Sequence, residues 1–205
     1  MKKVIFYGMV VLALVACGGG SSSGGSSSGS GGSGSGGGST SNPYPAPVLP
    51  DATKQAYLDV INNARGSQQD CHTEGIKPAV PALLWNDKLY SAAYEHSYDL
   101  AESNTASHDG SGTDSDWTGM DLRGKKSTYI ERVENNGYAW SSIGENIAMG
   151  TNHDTAQKAI DAWLASDGHC ANLMSPNYTE VGMAHYEKAG SDYTHYWTQE
   201  FGKPR

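Results

Sequence analysis

Three ionisable residues, His108, Glu145 and His169, stand where the sequence places the ends of regular elements. His108 closes Ala106-Ser107-His108, just past a predicted helix. Glu145 opens a predicted strand in Gly144-Glu145-Asn146-Ile147-Ala148. His169 follows another helix in Ser166-Asp167-Gly168-His169-Cys170-Ala171-Asn172. Two imidazoles and a carboxylate are a common ligand set for Zn2+ or another divalent cation, and catalytic zinc sites keep one position open to water. In a hydrolase the ion would lower the pKa of that water, with Glu145 as ligand or general base. Ser166, Asp167 and Asn146 are further candidates for the lining of the same cleft. The three residues lie far apart in the chain, so spacing alone does not bring them together.

Four helices and three strands must do the positioning. Asp51, after Pro50, is read as the cap of a helix through Ala64, ended by Gly66, with Ala56, Tyr57, Val60, Ile61 and Ala64 on one apolar face. Asn86 or Asp87 starts a second helix that runs to Ser103, with His96 toward its polar side. Thr128 and Glu131 form a capping-box pattern for a short third helix, and Gly137 fits its C′ position. A fourth helix is expected from Thr155 to Ser166, with Trp163 inward. Asn146–Met149, Glu180–Glu187 and Tyr193–Phe201 read as strands, the last two joined by a hairpin turn at 188–192. Helices precede the main strands without βαβ alternation, which indicates an α+β fold with an antiparallel sheet. The polar stretch 109–126 reads as a long solvated surface loop whose acidic spacing is not that of an EF-hand.

Cellular context comes from the N-terminus. Lys2 and Lys3 precede the apolar run Val4–Leu14, too short for a stable span and typical of a signal peptide. Leu14-Val15-Ala16-Cys17 resembles a bacterial lipobox. The resemblance implies cleavage after residue 16, lipidation of Cys17 and anchoring in a membrane. Residues 17–49 form a Gly/Ser-rich and then Pro-rich tether that buries nothing, and residues 50–205 form one globular domain. Gly18 gives no aspartate-type inner-membrane retention signal, so in a host with two membranes the expected destination is the outer one. The chain carries 14 basic and 22 acidic residues. An acidic domain without a basic stripe excludes nucleic acid as its expected partner. Cys71 and Cys170 remain in an exported chain and are expected to pair as a disulfide.

The ordered phrases Ser107-His108, Gly144-Glu145-Asn146-Ile147-Ala148, Trp163 to Asn172 and Tyr196-Trp197-Thr198-Gln199-Glu200-Phe201-Gly202 together resemble the CAP superfamily. This group comprises the cysteine-rich secretory, antigen 5 and pathogenesis-related proteins, and the closest likeness is to its bacterial SCP-type members. The resemblance implies an α-β-α sandwich, a central antiparallel sheet between helical layers, with an open cleft lined by two histidines and two acids. It maps the histidines to His108 and His169 and one acid to Glu145. Ser166 stands where the family's second glutamate is expected, which puts metal affinity and any two-carboxylate mechanism in doubt. Two functional classes follow: a binding module holding a divalent ion and a small apolar or glycan-like ligand, and a metal-assisted hydrolase using the same cleft. A purely adhesive surface role is the third reading.

Overall fold

A computed structural model describes residues 45–205. The expected signal peptide, lipidated Cys17 and most of the tether lie outside the described residues. Helix α1 (Asp51–Arg65) opens the domain. Pro50, not Asp51, takes the N-cap position, so Asp51 is the acid of the first turn, where it favours the helix dipole. A two-stranded ribbon, β1 (Gln69–Asp70) and β2 (Ile76–Lys77), follows, and then the short strand β3 (Leu84–Trp85). Helix α2 (Asp87–Ser103) is capped by Asn86, whose side chain accepts from the backbone of Lys88 and Leu89. Helix α3 (Trp117–Asp121) interrupts the expected loop. Helix α4 (Tyr129–Asn135) carries the complete Thr128–Glu131 capping box.

The sheet is built from β3, β4 (Trp140–Met149), β5 (Glu180–Glu187) and β6 (His195–Pro204), in the order β3-β5-β6-β4. It is antiparallel except at β3, which joins β5 in parallel through two residues. β4 runs six residues further toward the N-terminus than the sequence indicates. The polar residues Ser141 and Ser142 hide the strand from an alternation test, and pairing with β6 supplies the missing bias.

Helix α2 covers one face of the sheet. Leu89, Ala92, Leu100 and Ala101 meet Ile143, Ile147, Met149 and Tyr196 there, with Val133 of α4 beside them. Gly182 of β5 admits this helix, since a Cβ would collide with the backbone of Leu89 and Tyr90. The other face is covered by α1, α5 (Ala156–Leu164) and α6 (Asp167–Leu173). Ile61, Ile160, Trp163 and Leu173 pack there on Val181, Met183, Trp197 and Phe201. The result is the expected α-β-α sandwich.

The fourth helix expected from the sequence is α5, and a further helix that was not expected follows it. The backbone turns extended at Ser166, and α6 begins at once with His169 inside it rather than in a following loop. Asp167-Gly168 reads locally as a turn signal, but the disulfide between Cys71 and Cys170, with Cα atoms 5.3 Å apart, holds the segment in place. Arg65, fully buried, ties the end of α1 to the end of α6 by donating to the carbonyls of Pro81, Leu173 and Ser175.

The 109–127 segment is not simply solvated. Buried Asp116 accepts from the backbone N–H groups of Gly112, Gly119 and Ser127, and Asp99 accepts from Ser111 and Ser115. At the other end of the molecule the lead-in lies against α2 and β5. Ala46 and Leu49 pack beside Tyr90, Ala93 and Ala184, and Tyr90 donates its hydroxyl proton to the Pro47 carbonyl at 2.9 Å.

Candidate functional site

The site forms along β4, the free edge of the sheet, where residues of successive parity reach opposite faces. Glu145 faces the α2–α4 layer and Asn146 the α6 layer. Glu145 is paired with Glu200 of β6. His108, in a bend after α2, places its ring Nδ1 2.7 Å from Glu145 Oε1. The carboxylate only accepts, so Nδ1 carries the proton and Nε2 is left as the basic nitrogen of His108. The other oxygen, Oε2, accepts from Arg132 Nη2 at 2.7 Å. Arg132 comes from the inner side of α4 and is fixed further by the carbonyl of His108 and by Ser127.

His169 approaches from α6. Its ring centroid is 6.1 Å from that of His108 and its ring is tilted 38° to it. Its Nδ1 lies 3.0 Å from Ser166 Oγ, and its Nε2 is buried without a hydrogen-bond partner among the described residues. Ser166, standing where the family pattern has an acid, therefore orients the second imidazole. Asn146 anchors α6 by donating to the His169 carbonyl, and Asn172 donates to the Glu145 carbonyl and to Asn146 Oδ1. Asp167 turns away, is half-buried, and bonds Thr73 on the ribbon side.

The three residues singled out by sequence are thus brought together, but in a different relation from a shared ligand sphere. Both oxygens of Glu145 are engaged, so Glu145 stands behind His108 rather than beside it. Among the described residues no group of three or more His, Cys, Asp or Glu side chains is arranged to hold a metal ion.

Three buried groups complete the site, and none was singled out from sequence. His96, expected on a polar face, is fully buried. Its Nε2 lies 3.0 Å from the Ser107 carbonyl, so that nitrogen carries the proton. Burial, reinforced by the Arg132 charge, lowers its pKa to about 3. Arg132 and Glu200 are the others. Burial would raise Glu145, but His96, Arg132 and His108 outweigh it and hold the carboxyl well below its usual range. Glu200 is driven the other way, well above its usual range, first by burial and then by the Glu145 charge. His169 is lowered to about 4 by burial and by His108. A Glu within a strand buried on both faces was the available sequence signal for Glu200.

The same fold occurs in known proteins. The family model described as the cysteine-rich secretory protein family, CAP, matches residues 58–201. The chain is 27% identical over 159 residues to the uncharacterized protein YkwD of Bacillus subtilis, covering 76% of this chain and 49% of the relative. It is 28% identical over 128 residues to the uncharacterized membrane protein YlbC of the same organism, covering 62% and 31%. The chain thus spans half or less of these relatives' length. Among solved structures, an extracellular SCP-domain protein of Bacillus anthracis superposes with a TM-score of 0.52 at 26% identity, covering 77% of this chain and 45% of that one. An outer surface protein of Borrelia burgdorferi superposes with a TM-score of 0.53 at 17% identity, covering 79% and 100%, a likeness of fold. With the sandwich, the paired histidines and the matched segment in agreement, the chain belongs to the cysteine-rich secretory protein (CAP) family.

Proposed function

We propose that the protein is a lipid-anchored, extracytoplasmic binding module that holds Zn2+ or another divalent cation between His108 and His169. The observation that carries this reading is the shared orientation of the two imidazoles. Each is tied at Nδ1, His108 by Glu145 and His169 by Ser166, so Nε2 is the ring nitrogen of each that would take a metal. A tetrahedral ion about 2.0–2.1 Å from both Nε2 atoms places the ring centroids about 5.3 Å apart, so from the observed 6.1 Å the two rings would close by under about 1 Å on binding. A bound cation supplies a Lewis-acidic docking point for a carbonyl or anionic group. The chain's own residues set the tautomer of His108, hold the rings in place, and balance the buried charge through Arg132.

A hydrolase needs a free base or a third ligand, and the engagement of both Glu145 oxygens weighs against that use. The anchor rests on the Leu14-Val15-Ala16-Cys17 sequence and the tether after it. The extracellular and surface proteins of like fold are consistent with an extracytoplasmic location.

Titration calorimetry with Zn2+ at neutral pH tests the site. Binding by the native protein that is lost in the His108→Ala, His169→Ala double variant is expected; equal or absent heats in both would end the metal reading.

A further inference from the structure

Away from the histidines, the C-terminal turns of α2 and the 113–115 loop enclose an open cleft of about 420 Å³ lined by Tyr98, Glu102, Thr113, Asp114 and Ser115. Its chemistry is mixed in a specific way. Tyr98 supplies an aromatic ring, itself held edge-on by Tyr186 at 5.2 Å and 88°. Glu102 and Asp114 supply carboxylates. Thr113 and Ser115 supply hydroxyls, linked to each other at 2.9 Å and on to Ser111 at 2.7 Å.

The wall opposite Tyr98 is preorganised. Asp99 Oδ1 accepts from both Ser111 and Ser115, and Asp116 holds the backbone of the same loop through three N–H groups. The loop therefore keeps its shape without a ligand, which lowers the ordering cost of binding. Lys188 lies 2.8 Å from Glu102 and neutralises it, so the cleft carries little more than the single exposed charge of Asp114. That balance favours a neutral, hydroxyl-rich ligand over a cation.

We propose that this cleft binds a pyranose residue of a saccharide, with Tyr98 against the C–H face of the ring and Asp114 and Glu102 accepting its hydroxyl protons. A pyranose has the required amphipathic form: an apolar face for an aromatic side chain and a rim of donors for carboxylates. The volume suits one or two sugar rings. The cleft is independent of the His108–His169 pair.

Saturation-transfer NMR on the full-length protein, with the methyl pyranosides of glucose, galactose and N-acetylglucosamine as probes, tests this. Millimolar binding of at least one sugar is expected. Tyr98→Ala should weaken it roughly tenfold, and Asp114→Asn, at an exposed position, should weaken it without unfolding. Tyr98→Phe should preserve binding, and so should the His108→Ala, His169→Ala variant. Absence of transfer to all three sugars, or transfer unchanged by both Tyr98→Ala and Asp114→Asn, would overturn the proposal. Binding of tetramethylammonium in place of the sugars would likewise replace it with a cation site.

Discussion

Glu145 and Glu200 face each other across the β4–β6 ladder as directly paired residues, both buried, with one guanidinium, Arg132, to balance them. Two adjacent carboxylates in a dry interior do not both ionise. The proton resides on Glu200, while Glu145 keeps its charge for Arg132 and His108. The site therefore contains a spare carboxyl beneath the one that orients the imidazole.

That spare carboxyl makes the pair non-additive. In Glu145→Gln, Glu200 is free to lose its proton and take over the balance of Arg132, so the single variant is expected to lose less than a broken buried ion pair ordinarily does. The Glu145→Gln, Glu200→Gln double variant strands Arg132 and should cost about 3–5 kcal/mol. Urea unfolding of the four-protein cycle reads the coupling, and strict additivity would contradict the shared role.

Acid should destabilise the protein early. His96 and His169 have folded pKa values of about 3 and about 4, against about 6.5 in the unfolded chain. Because the unfolded state binds these protons first, stability present at neutral pH is lost as pH falls from about 6.5 toward those values. Each contributes about 1.4 kcal/mol per pH unit within its window. Glu200, raised in the fold, acts with the opposite sign: its contribution is present below about 4.3 and fades as pH rises through its folded pKa. His185, lowered to about 4 by burial, acts with the two histidines, and Glu95 and Asp99, raised by burial, act with Glu200. The histidines titrate across the whole interval, so urea midpoints should fall between about pH 6.5 and 5. A flat profile over that interval would count against neutral, buried His96 and His169.

Removing the disulfide should loosen fold and site together. Cys71 and Cys170 are 99 residues apart in the chain, and closing a loop of that size contributes about 4–5 kcal/mol in the chain-entropy model. Cys170 adjoins His169 in α6, so the Cys71→Ser, Cys170→Ser variant is expected to show weaker zinc binding as well as a lower melting temperature. Unchanged affinity in a variant that still folds would separate the bridge from the site.

Asp116 is expected to be the clasp of the 109–127 segment. Asp116→Ala leaves three backbone donors without their acceptor, at a cost of about 1–3 kcal/mol or more. Hydrogen exchange should show faster exchange at Gly112, Gly119 and Ser127 while the sheet stays protected. Protection unchanged at those three amides would refute the assignment.

The α+β class, the caps at Asn86 and Thr128, and the Cys71–Cys170 pair were legible because each depends on local chemistry or on simple pairing, whereas the layer order came only from the family resemblance. His108, Glu145 and His169 were legible as phrases at element ends. Their mutual roles were not, since β4–β6 register and the placement of α4 decide which oxygen of Glu145 meets which partner. Arg132 was hidden inside a correctly expected helix, because the partners that place it in the site, His108 and Glu145, are tertiary. Helix α6 was missed for a similar reason: Asp167-Gly168 signals a turn locally, and only the bridge and the Asn146 and Asn172 bonds show that the chain stays helical there.

The docking of Ala46 and Leu49 beside β5 has a directional outcome. Ala46 and Leu49 thus lie at the β3–β5 flank, whereas the histidines open along β4, the opposite margin of the same four strands. A domain held from its N-terminus in this way would turn the β4 margin away from its point of attachment, toward whatever approaches from beyond the cell surface.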